Sequence, residues 1–145
     1  MKKVMGLDLG DATLGIAFSD TLGIAAHGFE NFRFKKKADA VSRVLELVNQ
    51  MNIETIVLGM PYSLKGEKTE GCKRSEDFKQ KLLEQNKNLN VILLDERFTT
   101  VIASQRMHEM NLKAKKQKGF IDMQSAVVIL ESFMNSKEFQ DGRGK

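Results

Sequence analysis

The hydrophobic period of the chain changes near residue 35, and that change limits the folds open to it. Residues 3–9 read as a short strand, followed by a turn at Gly10 and Asp11. Leu14, Ile16 and Phe18 alternate with small residues, the two-residue period of a second strand. A turn at Asp20–Gly23 leads into a third strand over residues 24–34. Beyond it, Val41, Val44, Leu45, Val48 and Met51 recur at helical spacing and predict an amphipathic helix over 38–51. The run Thr55-Ile56-Val57-Leu58-Gly59 is then continuously apolar and β-rich, as expected of a strand buried on both faces of a parallel sheet.

Pro61 closes that strand, and residues 62–71 read as a loop. A weaker helix over 73–86 is anchored by Phe78, Leu82 and Leu83, and a fifth strand occupies 91–94. Thr99 or Thr100 can cap a helix over about 100–110. A lysine-rich loop separates it from a last helix over 121–135, and a polar tail follows from 137. The order βββ-α-β-α-β-α-α implies an α/β fold, a mixed five-stranded sheet flanked by helices. At 145 residues the chain fits one domain, taken as residues 1–136 with 137–145 as the tail.

Composition narrows the function classes. No apolar run approaches the roughly 20 residues that span a bilayer, and the N-terminal apolar stretch is broken by Gly6 and Asp8. Neither a membrane partner nor a signal peptide is expected, and a cytoplasmic setting is favoured. The single Cys72 excludes an internal disulfide and a thiolate metal cluster, and it reads as incidental. His27 and His108 show no paired metal-ligand spacing. The formal charge of +4 permits a polyanionic partner without requiring one. Its distribution says more, because Lys35–Lys37 form one run and Lys113, Lys115, Lys116 and Lys118 a second.

Three carboxylates stand where chemistry is possible. Asp8 interrupts an apolar strand and shares a face with Val4 and Gly6, opposite Met5, Leu7 and Leu9. A carboxylate there is costly unless it is paired, hydrogen-bonded or bound to metal, although Asp8 can also simply start a turn. Glu96 directly follows the fifth strand, where open α/β sheets place ligands. It can equally complement the dipole of a following helix. Asp122 stands at the start of the last helix, on one face with Ala126, Ile129 and Phe133 and beside small Ser125. It too can serve only its own helix terminus. A helix laid on the Asp8 face would bring Asp122 towards Asp8, with Glu96 added from a neighbouring strand end. Three oxygen donors of this kind suit hard divalent cations, which activate water and stabilise a leaving oxygen in phosphodiester cleavage. Arg97 can grip a phosphate or pair with Asp95. Lys116 and Lys118 lie close enough in sequence to Asp122 to bring positive charge to the same place.

Four segments together resemble the YqgF/RuvX family, Holliday-junction-resolvase-like proteins assigned to pre-16S rRNA processing. They are Gly6-Leu-Asp-Leu-Gly10 running to Gly15-Ile-Ala-Phe-Ser-Asp20; Val57-Leu-Gly-Met-Pro61 with Gly66; Leu94-Asp-Glu-Arg-Phe-Thr-Thr100; and the lysine loop with Ile121-Asp122 and Ser125-Ala126-Val-Val-Ile-Leu130. In order, they span nearly the whole chain. The resemblance implies an RNase H-like fold and a catalytic, metal-binding set Asp8, Glu96 and Asp122 that uses Mg²⁺ or Mn²⁺. It implies nucleic acid as partner, pre-rRNA favoured and branched DNA possible, with either a monomer or a homodimer as the working unit. One position departs from the family pattern: Thr13 stands where a basic residue is usual. The alternatives are a Holliday junction resolvase acting on branched DNA, or a ribosome assembly factor that binds nucleic acid without cutting it. Asp8-Leu-Gly10 with Gly15 also resembles the first phosphate loop of actin-like ATPases, but no second Asp-x-Gly phosphate motif accompanies it.

Overall fold

The computed structural model describes residues 3–97, 99–110 and 114–136. Its strands are β1 (Val4–Leu9), β2 (Thr13–Ser19), β3 (Ala26–Arg33), β4 (Thr55–Met60) and β5 (Asn90–Asp95). The helices are α1 (Lys37–Met51), α2 (Glu70–Gln85), α3 (Thr99–Met110) and α4 (Ala114–Met134). One five-stranded sheet runs in the order β3-β2-β1-β4-β5. The opening meander is antiparallel, and β1, β4 and β5 run parallel. The expected element order and mixed sheet are therefore observed. The polar tail lies outside the described residues, as does any cap from the side chains of Thr99 or Thr100.

Alternation along β1 divides the core in two. Met5, Leu7 and Leu9 face one way and pack with Val41, Val44, Leu47 and Val48 of α1 and Phe78 and Leu82 of α2. Val4 faces the other way, with Ala17 and Val57, against Ala126, Val127, Ile129, Leu130 and Phe133 of α4. The central strand β4 is buried along Ile56–Met60, as its unbroken apolar run requires. On the outer side of α4, Arg106 of α3 donates to Gln124 at 3.1 Å and to Glu131 at 2.8 Å. Two layers therefore cover α4, and most of its central residues are buried.

One sequence expectation needs correction. The last helix starts at Ala114, not near 121, so the lysine segment from Lys115 to Lys118 forms its first turns instead of a loop. Residues 115–120 contain no proline, and their lysines and Gln117 are good helix formers that carry the helix through Gly119 to Asp122. Asp122 consequently stands in the third turn, beyond the reach of the helix N-terminal dipole.

Glycines set how close α4 can come to the sheet. A Cβ on Gly6 would meet Leu130 Cβ at 2.8 Å and the Ala126 carbonyl oxygen at 2.9 Å. A Cβ on Gly15 would collide with the backbone carbonyl of Asp122 itself. Since that obstacle is helix backbone, no rotamer change relieves it. Gly15→Ala should destabilise the protein by about 1–3 kcal/mol through overpacking, seen as a lowered thermal unfolding midpoint. A midpoint equal to wild type would show that α4 does not rest on this glycine.

Candidate active site

Asp8 pairs across the sheet with Gly15 of β2. On its other side, the β1–β4 register Leu7↔Leu58 continues to Gly59. Asp8 thus stands between two glycines, facing α4 near the carboxyl ends of the parallel strands. Gly59 leaves room for Glu96, since a Cβ there would collide with the Glu96 carboxylate and lie 2.6 Å from Ile129 Cδ1. Glu96 is set in place by its own N–H, which donates to the Met60 carbonyl at 3.1 Å and draws the chain after β5 over the end of β4.

The side chains of Asp8 and Glu96 hydrogen-bond to each other. Both groups titrate above the usual carboxylate range. Desolvation is the largest cause for Asp8, pushed up to about 6; the Glu96 bond opposes the shift and the charge of Asp122 adds to it. Glu96 is pushed up to about 9, again first by desolvation, then by the Asp8 charge and the shared bond, with Cys72 and Asp95 contributing. The pair therefore titrates as a unit and retains one proton at neutral pH.

Asp122 approaches from α4. Its charge is felt by Asp8, and its Oδ2 accepts from the Thr13 hydroxyl at 3.3 Å. Thr13 is 8% exposed, and its carbonyl accepts from Gly10 N–H at 2.8 Å, which closes the β1–β2 turn beside the site. A small hydroxyl thus occupies the position where a basic residue was expected, and it touches one of the three carboxylates. Among the described residues, no three acidic, histidine or cysteine side chains are gathered tightly enough to form a ready-made metal cage. The structure bonds Asp8 to Glu96 and places Asp122 within electrostatic range of Asp8.

The basic residues divide. Arg97 pairs with Asp95, through its Nε at 2.9 Å and its backbone N–H at 3.0 Å. Its Nη1 lies towards Gly66 of the loop after β4, 3.2 Å from where a Cβ would stand. Lys116 and Lys118 lie in the first turns of α4, and their side chains fall outside what is described. Two neighbours were not singled out from sequence. Cys72, fully buried in the first turn of α2, lies close enough to raise Glu96. Ser75 fixes α2 on the site by donating to the Gly59 carbonyl at 3.0 Å. Buried polar residues at a helix start give little signal in a sequence, because their partners are distant along the chain.

The family model described as "RuvX: Holliday junction resolvase" matches residues 2–136. The chain belongs to the RuvX family. Curated relatives carry the name "Putative pre-16S rRNA nuclease". One from Ruminiclostridium cellulolyticum is 37% identical over 134 residues, covering 92% of this chain and 94% of the relative. One from a Geobacillus strain is 38% identical over 138 residues, covering 94% and 99%. Among solved structures, Thermus thermophilus RuvC in complex with a Holliday junction superposes with a TM-score of 0.58 at 13% identity, covering 94% of this chain and 98% of that one. The yeast mitochondrial Holliday junction resolvase gives 0.57 at 14% identity, covering 99% and 80%. These place the RuvX chain in the RNase H-like fold of the resolvases. No helix among the described residues is long and apolar enough to cross a membrane.

The raised carboxylates make stability depend on pH in a defined direction. A group whose folded pKa lies above its unfolded value stabilises at low pH, and that contribution is lost as pH rises through the folded pKa. For Glu96 the window runs from its ordinary 4.5 up to about 9, and for Asp8 from 3.8 up to about 6. In metal-free buffer the unfolding midpoint should fall from pH 6 to pH 9, and Glu96→Gln, which stays neutral, should flatten that fall. Parallel curves for the two proteins would contradict the shared proton.

Proposed function

We propose that this chain is a metal-dependent nuclease that hydrolyses phosphodiester bonds in 5′-end processing of pre-16S rRNA. The observation carrying this reading is the buried, proton-sharing Asp8–Glu96 pair at the carboxyl ends of parallel strands, with Asp122 facing it from α4. Desolvating the Asp8–Glu96 pair is costly, and a divalent cation offsets that cost directly. The donor set is all oxygen, which suits Mg²⁺ or Mn²⁺ better than softer metals. Asp8, Glu96 and Asp122 are the residues that would hold the metal. When bound, such an ion polarises the phosphodiester and lowers the pKa of an attacking water.

The protein's own groups have separable roles. With the shared proton lost to solvent, the carboxylates of Asp8 and Glu96 would both be available as metal ligands. Thr13 orients Asp122 by its hydroxyl. Arg97 contacts the substrate backbone, its exchange partner being the partly exposed Asp95. Lys116 and Lys118, on the turns of α4 before Asp122, add positive charge along the same path.

A second reading, resolution of branched DNA, is favoured by the description of the family model and by the fold shared with RuvC. It would call for a symmetric homodimer, because two strands are cut, whereas RNA trimming is open to a monomer. A precursor rRNA fragment and a four-way DNA junction assayed side by side with Mg²⁺ or Mn²⁺ separate the two. The wild type should cut the rRNA fragment. Asp8→Asn should bind it with similar affinity and cut more than about a hundredfold more slowly, beyond the loss expected from disturbing an outer-shell partner. Cleavage of the junction alone would select the second reading. Binding without cleavage by wild type would select the assembly-factor role.

A further inference from the structure

The first turns of α2 lie over the end of β4. Thr69 caps the helix by accepting from Cys72 N–H at 3.3 Å while its hydroxyl donates to the Pro61 carbonyl at 2.8 Å. Ser75 bonds Gly59, the glycine beside Asp8. Between these anchors stands Arg74, whose Nη1 reaches the Asp11 carboxylate at 2.8 Å. Asp11 belongs to the β1–β2 turn, three residues after Asp8. The Arg74–Asp11 pair therefore spans the mouth of the carboxylate site, from α2 to the turn that follows the catalytic strand.

Two features make this pair unusual as a structural brace. The Asp11 side chain is 85% exposed, and a pair so open to solvent adds little stability. The Arg74 Nε is buried and, among the described residues, has no hydrogen-bond acceptor. A buried donor without an acceptor is a standing cost, so the guanidinium is held here with its hydrogen bonding incomplete. Its one ion-pair partner among the described residues is an exposed carboxylate that water can readily solvate. A ligand presenting several acceptor oxygens on one tetrahedral centre matches the planar donor fork better than that single contact does.

We propose that Arg74 is a phosphate-binding residue of the substrate path, held in readiness by Asp11, and that the sugar–phosphate backbone displaces the Asp11 carboxylate from its guanidinium. The inference rests on the nucleic-acid reading above but not on cleavage. Asp11 acts as an internal competitor: it keeps Arg74 extended across the site mouth and leaves to solvent when a phosphate arrives.

The two partners then have opposite effects on binding, which a merely structural salt bridge would not produce. The test is binding of a fluorescein-labelled single-stranded RNA 20-mer in EDTA across a range of NaCl concentrations. Because EDTA prevents cutting, the result stands whether or not the wild type proves to be a nuclease. Arg74→Gln should weaken binding about tenfold and reduce the salt slope by about 0.7, the value for one lost phosphate contact on a single strand. Arg74→Lys should keep the slope while losing part of the affinity, which separates charge from misfolding. Asp11→Asn should bind more tightly than wild type, by about threefold, the competing charge having been removed. Binding by Arg74→Gln equal to wild type, or weakening of both Arg74→Gln and Asp11→Asn, would overturn the proposal.

Discussion

The close seating of α4 on the sheet is the contact on which the rest of the site depends. Gly6 and Gly15 present backbone where other residues would present side chains, and the helix uses that space to bring Ala126 and Asp122 down to β1 and β2. Burial of Val127, Ile129, Leu130 and Phe133 holds it there, and α3 covers its outer side. An apolar contact thus delivers a carboxylate to a carboxylate. Hydrophobic packing sustains the repulsion between Asp8 and Asp122, with the Thr13 hydroxyl donating to Asp122.

The same glycine row decides the state of the other two acids. Gly59 leaves the volume into which Glu96 turns, and the Met60 carbonyl fixes the backbone that carries it. The pair then answers its burial with a retained proton. On the proposed reading, a divalent cation would take the place of that proton. Thr13 contacts Asp122 through a hydroxyl, which adds no fixed charge to the site.

Much of this was legible before any coordinates. The change of period after residue 34 gave the sheet and its helices, and alternation along β1 put Asp8 on the face opposite Met5, Leu7 and Leu9. The helical spacing of Asp122, Ala126, Ile129 and Phe133 identified the face that packs. The start of α4 was placed too late because a lysine-rich stretch resembles a loop in composition, although lysine is a good helix former. That error made a helix-terminal role for Asp122 look plausible; its place in the third turn removes it. Thr13 had a usable signal, since it lies two residues from Gly15 on the same face of β2, yet the family pattern drew attention to the missing base instead. Arg74, Cys72 and Ser75 gave no comparable signal. What they touch depends on where α2 lands on β4, and that is settled by packing between segments far apart in the chain.

In the proposed function, Asp8 and Glu96 form a metal site held closed by one shared proton. Calorimetric titration of Mn²⁺ into the protein at pH 7, repeated in buffers of different ionisation enthalpy, measures the protons released as metal binds. Carboxylate ligands must be deprotonated, so the account predicts release of roughly one proton per bound ion, and none from Glu96→Gln. Binding by the wild type with no proton release would contradict it.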